Sequence, residues 1–203
     1  MTESTRTLET LELVGGALCL DFTNTINSRL TPEHDYLHHY SDLVGWANRV
    51  GILSPTQTSQ LLKRAKQNPE EAEITLGSAQ RHRDLLYRLF SNAASGSELA
   101  KKDMEIFVGF YGEAISRGQL IKLGTHYSTT WKMGQSLDAV LLPIIHSAGE
   151  LLLSEELGHV KECPGCGWLF LDTSKNQSRR WCSMNTCGAR DKMRRYHKRQ
   201  RAK

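Results

Sequence analysis

Between residues 41 and 116 apolar side chains recur at three- and four-residue steps, the period of a helix with one buried face. Ser41 is placed to cap a helix over 41–48, with Leu43, Val44, Ala47 and Val50 on one side and Gly51 as its stop. Ser54-Pro55 opens a second, since proline suits the first helical position, and Leu61, Leu62 and Ala65 point inward. Asn68-Pro69-Glu70 starts a long third helix carrying Ile74, Leu85, Leu86, Leu89 and Phe90, with Gly77 and Ser78 as weak points. Ser97-Glu98 opens a fourth, apolar at Met104, Phe107, Val108, Tyr111 and Ile115. The pattern then changes: Leu120 to Leu123 and His126 to Trp131, split by Gly124, predict a β-hairpin. A fifth helix over 136–154, apolar at Leu137, Val140, Leu141, Ile144 and Ile145, is expected to bend at Pro143.

Beyond residue 160 the chemistry of the side chains overtakes their periodicity. Four cysteines are spaced Cys163-x2-Cys166-x15-Cys182-x4-Cys187. Pro164 and Gly165 bend the first pair tightly enough for both sulfurs to face one ion, and Gly167 tolerates the positive φ of such a turn. Four thiolates close a tetrahedral shell around one Zn²⁺ and leave no open position, which makes the metal structural. The alternative for such a set is a disulfide framework in a secreted domain. The first seven residues lack a signal segment and no run of 18 apolar residues occurs, so the expectation is a cytoplasmic chain with reduced thiols and no membrane partner.

Residues 168–172 read as one strand, 173–178 as a polar turn, 179–182 as a returning strand, and 189–203 as a helix without Gly or Pro. Knuckle, hairpin and helix make a treble-clef layout. The predicted fold is mainly α: a multihelical N-terminal domain (1–158) with a small β-hairpin, then a treble-clef-like zinc finger (159–203) ending in a basic helix.

Charge separates these parts. Residues 174–203 hold 11 Lys or Arg against Asp191 alone, leaving 15 basic and 21 acidic residues in the rest. On the terminal helix Arg190, Arg194, Lys198 and Arg201 form one stripe, and Lys192, Arg195 and Arg199 a neighbouring one. Ala189, Met193, Tyr196 and Gln200 form a less charged face, expected to pack against the knuckle and Trp181. The candidate nucleic-acid contacts are Arg179, Arg180, Arg190, Lys192, Arg194, Arg195, Lys198 and Arg199. Phosphate holding and base reading both use arginine, and this pattern leaves the two open. A basic tail can also be no more than a solvated face.

The body offers no enzyme motif: neither GxxxxGK[ST] nor GxGxxG occurs. Asp21, Asn24 and Thr25 cluster polar groups beside Leu18, Leu20 and Phe22, where they either line a small-molecule pocket or hold turns by hydrogen bonds. His34 and His38 have a four-residue spacing that can hold a metal on a helix, yet Pro32 and the lack of a third ligand favour a polar loop, with His39 beside them. Cys19, in an apolar stretch, reads as a buried core thiol.

The stretch Cys163-Pro-Gly-Cys-Gly-Trp-Leu-Phe-Leu-Asp172, followed by Ser178-Arg-Arg-Trp-Cys-Ser-Met184 and Cys187-Gly-Ala-Arg190, resembles the CGNR zinc-finger family of bacteria. Gly15-Gly-Ala-Leu-Cys-Leu-Asp-Phe-Thr-Asn-Thr25 resembles the opening of the ABATE domain, a stress-induced regulator domain. The resemblance implies that Cys163, Cys166, Cys182 and Cys187 bind zinc and that the chain is a bacterial transcription regulator. Its finger would bind duplex DNA while the acidic body senses an effector or forms a homodimer. The family's Cys-Gly-Asn-Arg stands here as Cys187-Gly188-Ala189-Arg190, so any contact owed to that Asn side chain is absent. The alternative is a non-regulatory module that binds RNA or a protein through the same zinc scaffold.

Overall fold

The computed structural model describes residues 7–201; the stretch read for a leader, up to residue 6, and the last two residues of the predicted basic helix lie outside the described residues. Helix α1 (Leu18–Thr23) is followed by α2 (Tyr40–Arg49), α3 (Pro55–Gln67), α4 (Pro69–Ala94) and α5 (Lys101–Ser116). A hairpin of β1 (Gln119–Leu123) and β2 (His126–Thr130) leads to a 3₁₀ turn (Leu137–Leu141), α6 (Leu142–Leu152) and a second 3₁₀ turn (Glu155–His159). The finger contains β3 (Val160–Glu162), β4 (Leu169–Leu171), one π-helical turn (Met184–Gly188) and α7 (Ala189–Arg201).

Local chemistry explains most boundaries. Ser54 and Gln57 cap the start of α3 reciprocally, Ser54 accepting from the Gln57 amide at 3.3 Å and Gln57 Oε1 from the Ser54 amide at 2.8 Å. Ser41 lies inside α2 instead of capping it; the Asp42 carboxylate accepts from the amides of His38 (2.9 Å) and His39 (2.7 Å). Helix α4 runs through Gly77 and Ser78 unbroken for 26 residues, about 39 Å. Helix α5 begins at Lys101, later than the Ser97-Glu98 signal, because the Ser97 amide closes the end of α4 on the Asn92 carbonyl at 2.9 Å. Pro143 starts α6 rather than bending a longer helix, since the first turn has no use for its missing N–H. Ile74, Val108 and Ile115, which the periodicity turns inward, are exposed.

The sequence pattern gave no warning of α1, a six-residue helix at the centre of the molecule. Cys19, Leu20 and Phe22 are fully buried there, and α1 packs against α4, α6 and β4. Burial pushes the Cys19 thiol up to about 12 against the opposing hydrogen bond with Ser147, as suits a core thiol.

In the finger, β4 pairs with β3 and not with residues 179–182. The register is Val160↔Leu171, Lys161↔Phe170 and Glu162↔Leu169, so the first cysteine pair forms the turn of a hairpin. Residues 179–182 are no strand, because the Arg179 amide is drawn to Asp172 Oδ2 at 2.9 Å.

Body and finger share one core. Val160, Trp168, Leu169, Phe170 and Leu171 are buried in the same apolar cluster as Phe22, Leu86 and Phe90. The packing is thus continuous across residue 158, the boundary expected between the two parts.

Candidate metal centre and nucleic-acid surface

The β3–β4 turn gathers the first two cysteines. The Cys163 amide donates to the Trp168 carbonyl at 2.9 Å, and the Gly167 amide to the Cys163 carbonyl at 2.8 Å. Gly167 has φ +72°, the left-handed conformation expected of it, and a Cβ there would meet Arg29 Cβ at 2.7 Å. The π-helical turn brings Cys187 back to face the knuckle. All four sulfurs lie within 4.8 Å of one another and all four residues are buried. Cys166 and Cys182 sulfurs are 3.6 Å apart, Cys182 and Cys187 3.7 Å. A tetrahedron with zinc–sulfur bonds of about 2.3 Å has edges of about 3.8 Å. The donor set therefore fits a single zinc ion. Hydrogen bonds from Cys166 and Cys182 draw Cys163 well below its ordinary thiol value and push those two donors up, so loading zinc must release their protons.

The metal turn is held by the body. Asn24, buried, donates its amide to the Leu169 carbonyl (2.8 Å) and accepts from the Leu169 amide (3.0 Å). Trp168 Nε1 donates to the Ile26 carbonyl at 2.6 Å. The Cys166 carbonyl accepts from the Arg29 amide at 2.7 Å and from Ser28 Oγ at 3.2 Å. The loop supplying these groups is fixed on α4: Arg83, buried, pairs bidentately with Asp35 at 2.7 and 2.6 Å. Burial opposes ionisation of Asp35, but the Arg83 guanidinium outweighs it and holds the carboxyl below its usual value. Arg29 itself reaches Asp84 at 2.8 Å and lies over the Tyr87 ring. Ser28, Arg29 and Arg83 carried no signal in the sequence; their role depends on contacts across dozens of residues.

Asp172 organises the loop between the cysteine pairs. Its buried carboxylate accepts from Lys161 Nζ (2.6 Å), Ser174 Oγ (2.6 Å), the Ser174 amide (3.0 Å) and the Arg179 amide (2.9 Å). Burial alone would raise its pKa; these donors together hold it well below the usual carboxylate range.

The polar groups of Asp21, Asn24 and Thr25 make hydrogen bonds within the fold. Asp21 accepts from the Gly15 amide at 2.7 Å, Asn24 is paired with β4, and Thr25 Oγ1 bonds the Phe22 carbonyl at 2.8 Å. A cleft of about 390 Å³ opens at the seam of body and finger, lined by Glu12, Ser28, Thr31, Trp168, Thr186 and Arg190 among others. His34 packs edge-on against Tyr36 and His38, and among the described residues the four cysteines are the only set of three or more metal-capable groups drawn together. His159 bonds Gln177 at 2.6 Å and is not among the clustered metal-capable groups.

The basic candidates divide by what their guanidinium or ammonium groups already do. Arg179 is structural: Nε donates to the Trp181 carbonyl at 3.0 Å, NH2 to the Cys182 carbonyl, and the group lies 4.5 Å from the Phe170 ring centroid. Arg179→Ala is expected to cost about 1–3 kcal/mol by stranding those carbonyls. Arg179→Lys should restore little, because one ammonium cannot reproduce the fork. Thermal melts of the zinc-loaded protein check this. Arg190 donates to the Cys187 sulfur at 3.2 Å, a contact that offsets thiolate charge. Arg194 and Arg195 converge on Asp191 at 2.6 and 3.0 Å, while their side chains remain largely exposed. Arg180 lies over the Trp181 ring. Lys192, Lys198 and Arg199 have no ion pair among the described residues and are exposed.

Only Asp191 is buried on α7; Met193 and Tyr196 are exposed at 57% and 56%. The less charged face therefore does not pack on the knuckle. From Lys192 onward every described residue of the helix is exposed, so it projects into solvent.

Comparison with known families places this geometry. Residues 16–155 match the ABATE family, described as "Putative stress-induced transcription regulator", and residues 159–200 match the CGNR zinc finger. No curated protein matches the chain. The chain belongs to the ABATE family and carries a C-terminal CGNR zinc finger with a single four-cysteine zinc site.

Proposed function

From this membership we propose that the chain is a cytoplasmic transcription regulator that binds duplex DNA through its zinc-anchored basic helix, with the acidic body as the sensing or dimerising part. The observation that carries the reading is the exposure of α7. From Lys192 to Arg201 every residue faces solvent, and the helix holds seven Lys or Arg over 13 residues, about 20 Å. A helix of that length and charge fits a DNA groove, and the metal at its root fixes the direction in which it leaves the body. No described helix is long and apolar enough to cross a membrane, and both matched families describe a regulator and a zinc finger rather than an enzyme.

Selection from a random duplex pool at near-physiological salt tests the reading. Enrichment of one sequence class supports a regulator; uniform recovery, or preference for structured RNA, contradicts it. The same protein assigns residue roles. Lys192→Ala, Lys198→Ala and Arg199→Ala should each weaken binding to all duplexes and reduce the slope of log K against log salt by about 0.9 if each neutralises one phosphate. Arg194→Ala or Arg195→Ala should do less than a double substitution, because either arginine can leave Asp191 for a phosphate while the other keeps it paired.

A further inference from the structure

The β1–β2 hairpin exposes apolar side chains on both of its faces. Leu120 and Tyr127 are 72% and 65% exposed on one face, and Ile121 and Leu123 are also exposed on the other. All five residues of β1 are exposed, and among the described residues no backbone hydrogen bond from outside the hairpin reaches that strand. A lone hairpin is marginal in water, and an open apolar edge attracts another strand. We infer that β1 is the dimerisation edge of this protein, pairing antiparallel with β1 of a second copy to form a continuous four-stranded sheet.

Register and charge choose the second copy as occupant. The loop between Leu123 and His126 has two residues, with Gly124 at φ +59°, as in a tight hairpin turn. Such a turn makes Leu123 and His126 a hydrogen-bonded pair. Alternation then gives Gln119, Ile121 and Leu123 the bonds to β2, and leaves the N–H and C=O groups of Leu120 and Lys122 facing the open edge. Those two residues are symmetric about Ile121. A two-fold axis at Ile121 therefore pairs Leu120 with Lys122 of the partner subunit on both sides, satisfying all four outward groups of each chain. The Lys122 side chains do not stand directly opposite each other, so like charges are kept apart. The first 173 residues as a whole carry 21 acidic against 15 basic groups. The hairpin, with Lys122 as its one charged residue apart from His126, is a segment through which two acidic bodies can meet.

The test uses full-length zinc-loaded protein. Sedimentation equilibrium should give the mass of two 22.9 kDa chains at high concentration, with reversible dissociation on dilution. Lys122→Pro removes an outward donor while sparing the bonds to β2, a substitution that an edge strand tolerates. Ile121→Glu places two carboxylates opposite each other on the axis. Both should yield monomers with an unchanged helical circular-dichroism signal and full zinc content. Ile121→Cys should form an intermolecular disulfide under mild oxidation, because the partners of a non-hydrogen-bonded pair have Cα atoms about 4.5 Å apart, within disulfide range. Ile74→Cys, at a still more exposed position on α4, should not. A wild type that stays monomeric, a dimer surviving both Lys122→Pro and Ile121→Glu, or equal cross-linking at Ile74→Cys would overturn the inference. If either substituted hairpin unfolds, the cysteine pair still decides.

Discussion

Ending the chain at His159 is expected to abolish cooperative folding rather than release a stable helical body. Truncation removes Val160, Trp168, Leu169, Phe170 and Leu171 from the shared core, and each buried apolar side chain contributes about 1.5–3 kcal/mol. It also strands the buried Asn24 amide, whose two partners are both on Leu169, at a cost of about 1–3 kcal/mol. Whole domains are stable by only about 5–15 kcal/mol. The loss is of the same size as the total, so the truncated chain should melt without a sharp transition and expose apolar surface to dye. A sharp melt close to that of the full-length protein would contradict this. An informative contrast is a chain ending at Asp172, which keeps β3, β4 and Asn24's partners and should retain most of the cooperativity.

That contrast shows what the sequence reveals and what it hides. The start of α3 is legible because Ser54 and Gln57 act on neighbouring amides, and the start of α4 because Pro69 suits a first turn that has no use for its missing N–H. The four zinc ligands are legible because thiol spacing is itself the signal. The β3 strand is not, being three residues long, and neither is the role of Asn24, whose partner lies 145 residues away. A polar residue in an apolar run announces that it needs a partner without saying which. The wheel of α7 likewise identifies Met193 and Tyr196 as its least charged face, yet only the tertiary arrangement shows that both stay exposed. For the same reason, charge alone could not separate Arg179, folded back onto the finger's carbonyls, from Lys198, which faces solvent.

The second large effect concerns the metal. Replacing Cys182 by Ser, or chelating zinc, should unravel the loop from Thr173 onward and release α7, while α1 to α6 and the β3–β4 pair stay seated. The reason is geometric. Outside the zinc shell, this last part buries few groups, chiefly Trp181 and Asp191, and depends on the Asp172 cluster. Metal binding supplies its folding energy. Circular dichroism should lose about the helical signal of α7 alone, with a lower melting temperature for the rest. Amide exchange should become fast after residue 173 and remain slow in α4. Slow exchange throughout the apoprotein would show that the ion is dispensable to the fold.

Because the metal fixes the helix that carries the charge, duplex binding must depend on both. Fluorescence anisotropy of a labelled DNA duplex at low salt, with zinc-loaded wild type and the Cys182→Ser protein side by side, measures this directly. The wild type is expected to bind with an affinity that falls steeply as salt rises, and the variant to bind far more weakly despite carrying the same basic residues. Absence of binding by the wild type at low salt, or equal binding by the two proteins, would contradict a zinc-anchored DNA-binding helix.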